Sequence, residues 1–250
     1  MHSLTRLSFA TATALICILS AERSTAQFTP SKWEMGVNVG SLIYQGDLAK
    51  STLGYTKSLK PAVGFYVSRS LNDFFALRAD LVFGSIGANE GTYSSPAWTK
   101  YRDFNFHSSV TQLSAEMQYY FLGESAPISP YIFGGIGFSF VDIKRNWSGI
   151  DEAYFGAQSS TVIGLGKDTL HKLPGLVPVI PLGVGLKYTL TPQLSIHAEI
   201  MYRLTDTDYL DGFKYSGNPR TNDYFYSFTL GISYRFGHDR MSCPKVPRQP

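Results

Sequence analysis

His107 and Ser109 are spaced as a hydrolytic pair would be, two residues apart and therefore on the same side of an extended segment. A histidine that takes the proton of a serine makes its hydroxyl a nucleophile, provided a third group orients the imidazole. No carboxylate can be given that role from the sequence, and two polar residues near one end of a long strand account for the pair equally well. His197 and Glu199 repeat the spacing and read better as members of a polar face than as ligands. Asp206, Thr207, Asp208 and Asp211 offer oxygens suited to calcium, but their spacing is not that of an EF-hand loop, and a solvated acidic loop is the simpler expectation. Gly134, Gly135 and Gly137 look like part of a phosphate loop, yet no Lys-Ser/Thr follows them, and close packing in a strand explains them. No catalytic residue, metal site or cofactor is assigned.

A larger set of charges is placed by a firmer rule. Every even-numbered residue from Tyr224 to Phe236 is apolar or aromatic, while the odd-numbered residues are mostly Ser, Thr, Gly and Arg. This period of two marks a β-strand with one apolar and one polar face. The same pattern recurs from Trp33 to Ile43, Val63 to Leu71, Phe75 to Phe83, about Phe104 to Phe121, Ile180 to Leu190 and Leu194 to Tyr202. An eighth segment, Tyr131 to Phe140, is apolar or Gly on both faces and shows no phase. Glu34, Arg78, Asp80, Glu116, Lys187, Glu199, Arg203 and Arg235 all fall on the polar faces.

The connections alternate too: long over 45–59, 88–103, 142–177 and 204–223, short or moderate over 72–74, 123–129 and 191–193. Short and long turns then lie at opposite ends of the strands, as in outer-membrane barrels with short periplasmic turns and long extracellular loops. A soluble barrel or sandwich also alternates its faces. Three features favour the membrane: strands of eleven or more residues, rings near strand ends such as Trp33, Tyr119, Tyr188 and Phe236, and a secretion signal. The signal is Arg6, the apolar run Leu7 to Leu19 and the small residues Ser24-Thr25-Ala26, so cleavage is expected after residue 26.

The expectation is an all-β, eight-stranded antiparallel up-and-down transmembrane barrel over 27–236, its charges turned inward, followed by a periplasmic tail over 237–250. An interior of that size is filled by side chains, so four acids and four bases would pair and plug it. The tail carries Cys243, Pro244, Lys245, Pro247 and Arg248, and its prolines favour an extended partner-binding segment. Cys17 leaves with the signal, so Cys243 has no internal partner. A net charge of +3 and a pI near 8.7 are too mild to indicate nucleic acid.

Five blocks carry a resemblance: Tyr44-Gln45-Gly46-Asp47-Leu48, Phe104-Asn105-Phe106-His107-Ser108, Ser129-Pro130-Tyr131-Ile132-Phe133-Gly134-Gly135-Ile136-Gly137, Ile180 to Tyr188, and Thr207-Asp208-Tyr209-Leu210-Asp211. Together they are similar to PorG-like outer-membrane barrels over about 33–236, with His107 where that family commonly has Arg. The resemblance implies a non-enzymatic barrel of the type IX secretion system, which exports proteins and in some bacteria supports gliding. Its implied partners are outer-membrane lipid and a periplasmic ring of PorK and PorN type. The His-x-Ser pair also resembles that of small lipid A deacylases, which leaves a lipid-modifying enzyme, or a small porin-like barrel, as the alternative.

Overall fold

Alternation along the chain becomes a continuous antiparallel ladder. The computed structural model describes residues 33–49, 59–92, 96, 98–217 and 222–236. Its strands are β1 (Trp33–Gln45), β2 (Lys60–Ser70), β3 (Phe75–Asn89), β4 (Asn105–Tyr120), β5 (Ile128–Asn146), β6 (Leu176–Thr189), β7 (Leu194–Thr205) and β8 (Tyr224–Phe236). Each pairs with the next, and β8 returns to β1 with Phe236 opposite Trp33 and Tyr224 opposite Gln45, closing the barrel. The expected signal segment and the expected tail, with Cys243, Pro244, Lys245, Pro247 and Arg248, lie outside the described residues.

The ends differ in kind. At the end where Trp33 meets Phe236, the strands turn over 71–74, 121–127 and 190–193. Side chains set two of these turns: Asn72 Oδ1 accepts the amides of Phe74 and Phe75 at 2.8 Å each, and Thr191 Oγ1 accepts that of Leu194 at 3.0 Å. At the other end the connections are long, and among the described residues they hold a 3-10 turn, Glu90–Thr92, and three α-helices, α1 (Trp98–Arg102), α2 (Glu152–Phe155) and α3 (Ser160–Leu170). Ser159 starts α3 by accepting the amide of Val162 at 3.2 Å.

Several strands run further than the alternation predicts, because the alternation continues while its polarity reverses. On β3 the outward residues are Phe75, Leu77, Ala79, Leu81 and Phe83, and then Ser85, Gly87 and Asn89. The inward residues change the opposite way, from Arg78 and Asp80 to Ile86 and Ala88. On β4, Met117 and Leu113 give way outside to Ser109 and His107, as Glu116 and Gln112 give way inside to Val110 and Phe106. On β5 the outward change is from Phe138 and Phe140 to Asp142 and Lys144. An apolar face that swaps sides looks like the end of a strand when read along one face alone. Leu71, conversely, already belongs to the turn, its amide bonded to the Phe75 carbonyl at 2.8 Å.

The reversal measures the apolar band. On β3 it spans Phe75–Phe83, nine residues, and at about 3.3 Å per residue and a tilt near 40° this rises roughly 23 Å, close to the band of a bilayer-spanning barrel. Above it the interior is a second core of Leu42, Tyr44, Ile86, Phe104, Phe106, Val110, Leu210, Phe213 and Phe225. The phase of β5 is settled by its neighbour: Tyr131 and Phe133 turn inward over Gly185 and Gly183 of β6, where any Cβ would strike their rings.

The band gives a test. Leu113→Arg, outward and within it, should cost roughly 2–4 kcal/mol, whereas His107→Arg, outward but beyond it, should be near neutral. Urea unfolding of both variants in lipid vesicles measures the difference, and equal costs would place the band elsewhere.

Candidate functional site: the charged interior

Side chains that point inward from β3, β4 and β7 at one level meet around Arg78. Its guanidinium binds Asp80 on its own strand and both oxygens of Glu199 on β7, Nη2 to Oε2 at 3.2 Å. Nε lies 3.8 Å from Glu116 Oε2 on β4, and the guanidinium carbon stands 4.0 Å from the ring centroid of Tyr66. Glu199 also accepts Tyr131 Oη at 2.5 Å and Asn38 Nδ2 at 3.2 Å, while Glu116 accepts Ser114 Oγ at 2.8 Å. His197 rests its Nε2 on Asn38 Oδ1 at 2.5 Å. In place of water, the barrel supplies one cation, three carboxylates and their donors, and all of these groups are buried.

A second group closes the end with the short turns. Lys187 of β6 and Arg235 of β8 both reach Glu34 of β1, Arg235 at 3.4 Å, and Tyr66 Oη donates to the same carboxylate at 2.9 Å. Glu124 enters from the turn 121–127, 2.6 Å from Arg235 and 3.5 Å from Lys187, and accepts the hydroxyl of Ser70. That turn folds into the barrel mouth because Gly123 adopts φ 82° and the Glu124 amide bonds to the Asp73 carbonyl at 2.6 Å.

Of the eight charges singled out in the sequence, seven fall into these two groups. Arg203 stands apart: it donates Nε to Gln112 and Nη1 to Ser227 Oγ at 2.9 Å, and makes no ion pair among the described residues. Sequence reasoning missed Glu124 and the inward tyrosines. A turn glutamate reads as solvated, and nothing local shows that it folds inward; a tyrosine counts as apolar in an alternation. The cavity remaining between Asn38, Asp80, Glu199 and Arg203 is about 10 Å³, room for roughly one water.

The other candidates are dispersed. His107 and Ser109 face outward just beyond the apolar band, in register with Lys144 and Asp142 of β5, and no hydrogen bond joins the four side chains. Lys144 lies 3.9 Å from Asp142. Gly134, Gly135 and Gly137 are strand residues of β5. The acidic loop is not the solvated one expected: Asp208 and Asp211 are buried, with relative exposures of 3% and 0%, because the segment 206–217 folds down into the barrel mouth. Burial first, and Asp47 next, push the Asp208 carboxyl up to about 7. Among the described residues no group of three or more His, Cys, Asp or Glu is arranged to hold a metal.

A closed eight-stranded barrel with an outward apolar band and a polar, side-chain-filled interior defines an outer-membrane-type β-barrel protein. The chain belongs to the family described as domain of unknown function DUF6089, which matches residues 10–245. No curated protein matches the sequence. Among solved structures it is similar to Ail, the attachment invasion locus protein of Yersinia pestis, at 12% identity over 82% of this chain and 99% of that one, TM-score 0.45. It is also similar to the outer membrane protein OprG from Pseudomonas aeruginosa, at 9% identity over 83% and 97%, TM-score 0.44. A third is a major outer membrane protein from Thermus thermophilus, at 15% identity over 82% and 99%, TM-score 0.42. Likenesses this distant carry no functional information.

The interior makes its own prediction. Arg78→Ala would strand three buried carboxylates, a loss of about 3–5 kcal/mol, because breaking one partner of a buried network leaves uncompensated charge. Arg203→Met removes no ion-pair partner and should cost less. Urea midpoints in vesicles compare the two, and an Arg203→Met loss equal to that of Arg78→Ala would refute the ranking.

Proposed function

We propose that this protein is a non-enzymatic outer-membrane barrel that anchors a periplasmic assembly, as part of or accessory to the type IX secretion and gliding machinery. The observation that carries the reading is the interior, filled from Glu124 and Lys187 at one end through Arg78 to Leu210 and Phe213 at the other. A filled barrel acts through its ends and its outer wall. The end with the short turns, from which residues 237–250 continue, is the periplasmic one, and the ring of PorK and PorN type implied by the sequence blocks is the partner suited to it. The tail with Cys243, Pro244, Lys245, Pro247 and Arg248 supplies the contact. Co-purification from native outer membrane in mild detergent tests the proposal: the full-length chain should bring down ring proteins, and deletion of 237–250 should reduce their recovery at least severalfold. Recovery of a bare barrel from cells that contain the ring would sink it.

A second reading is favoured by one observation, the pairing of Ser109 with Asp142 across the β4–β5 ladder, with His107 two residues away on the same outward face. On this reading the three residues would have to close into a hydrogen-bonded set, His107 to Ser109, on meeting a lipid ester at the edge of the outer leaflet. Lipid A from strains carrying Ser109→Ala decides it: an unchanged acyl pattern removes the enzyme reading, and a gain of acyl chains would establish it.

A further inference from the structure

The phenol of Tyr44, at the loop end of β1, lies between two buried carboxylates. Its oxygen is 2.8 Å from Asp211 Oδ2 and 2.6 Å from Asp223 Oδ1. A phenol has one proton and can donate to only one of them. Both contacts are favourable together only when the other carboxyl carries a proton and donates it to the phenol oxygen.

The surrounding donors show which carboxyl that is. Asp223 Oδ2 accepts the amides of Leu210 at 3.0 Å and Asp211 at 3.4 Å, so of the two carboxylates Asp223 is the better stabilised as the anion. Asp211 accepts a single amide, that of Phe213 at 2.8 Å. We propose that Asp211 is protonated in the closed barrel and forms the relay Asp211–H to Tyr44 Oη, Tyr44 O–H to Asp223, which latches segment 206–217 over the loop-end core and releases it when that proton is lost.

Among the described residues, the groups around the pair favour an added proton over a counter-ion. Asp47 after β1, Asp208 in the segment itself and Asp168 on α3 add negative charge nearby. Of the cations, Lys214 lies 3.8 Å from Asp208, Arg145 of β5 donates to the Gly212 carbonyl at 2.6 Å, and Arg102 of α1 is taken by Glu90 and the Ser216 carbonyl. Asp168 is fully used as acceptor for the amides of Lys214, Tyr215 and Ser216. Gly46 leaves the space the relay needs, since a Cβ there would collide with both Asp223 Oδ1 and the Tyr44 hydroxyl. The latch holds Leu210 and Phe213 in the core, Leu210 also through its carbonyl on Ser108 Oγ at 2.9 Å.

Burial raises both carboxyls of the pair, and the charge of Asp223 then holds Asp211 well above the usual carboxylate range, so Asp211 is the one that keeps the shared proton. An acid whose pKa is raised on closing stabilises the closed form at low pH and loses that contribution as pH rises through the raised value, by up to about tenfold in the opening equilibrium per pH unit.

Hydrogen exchange of the full chain in lipid vesicles, corrected for the intrinsic rate, tests the latch. Segment 206–217 should open at least about tenfold more at about pH 8 than at about pH 5, with β3 to β5 unchanged. Asp211→Asn supplies a permanent donor to Tyr44 and should keep the segment protected at both values. Tyr44→Phe should leave it open at both. The infrared carbonyl band of a protonated carboxyl, present in the wild type at about pH 5, should lose intensity in Asp211→Asn. Equal wild-type protection at the two pH values, or a Tyr44→Phe variant as protected and as pH-sensitive as wild type, would overturn the proposal.

Discussion

A strand in hydrocarbon has nowhere to place an unpaired amide, and the pairing of β1 with β8 is the constraint from which the rest of this structure follows. The two strands match over their whole length, from Trp33 against Phe236 to Gln45 against Tyr224. Closure at eight strands then dictates the interior, which is too narrow for a water column and wide enough to need large side chains. Glycines at Gly36, Gly183 and Gly185 let Tyr66, Phe133 and Tyr131 lie flat across neighbouring strands, and the guanidinium of Arg78 packs on two of those rings.

Buried ion pairs are often no more stabilising than an apolar filling of the same shape. Their effect is to forbid alternatives. A one-residue slip of β3 or β7 would turn Arg78, Asp80, Glu199 and Arg203 into lipid, so the network ties register to the apolar band. Five carboxylates, Glu34, Asp80, Glu116, Glu124 and Glu199, share the inside with Arg78, Lys187, Arg203 and Arg235, an excess of one acid. The network is organised as two clusters, one at mid-barrel and one at the mouth, which leaves Arg203 to neutral partners.

Past the band the same chain solves a different problem. The wall stands in water, so its outward residues become polar and its interior becomes an ordinary apolar core. Segment 206–217 covers that core, tied to β1 by Tyr44, to β4 by Ser108, to β5 by Arg145 and to α3 by Asp168. One barrel therefore holds a membrane half filled by ion pairs and a loop half filled by rings.

By itself the sequence determined the number of strands, the phase of seven of them and the inward direction of the charges. Each of these follows from a local rule: a period of two, and the cost of an arginine facing lipid. The order of short and long connections followed as well, because turn residues such as Asn72 and Thr191 act on their immediate neighbours. Only the tertiary structure decided that Glu199 rather than Glu116 is the closer partner of Arg78, that Glu124 folds in from a turn, and that Asp208 and Asp211 are buried. These depend on residues far apart in the chain, brought together by closure. The inward direction of Tyr131 was likewise out of reach, since it rests on Gly185 in the neighbouring strand. So was the reversal of polarity above Phe83, which looks like the end of a strand until the opposite face is seen to continue it.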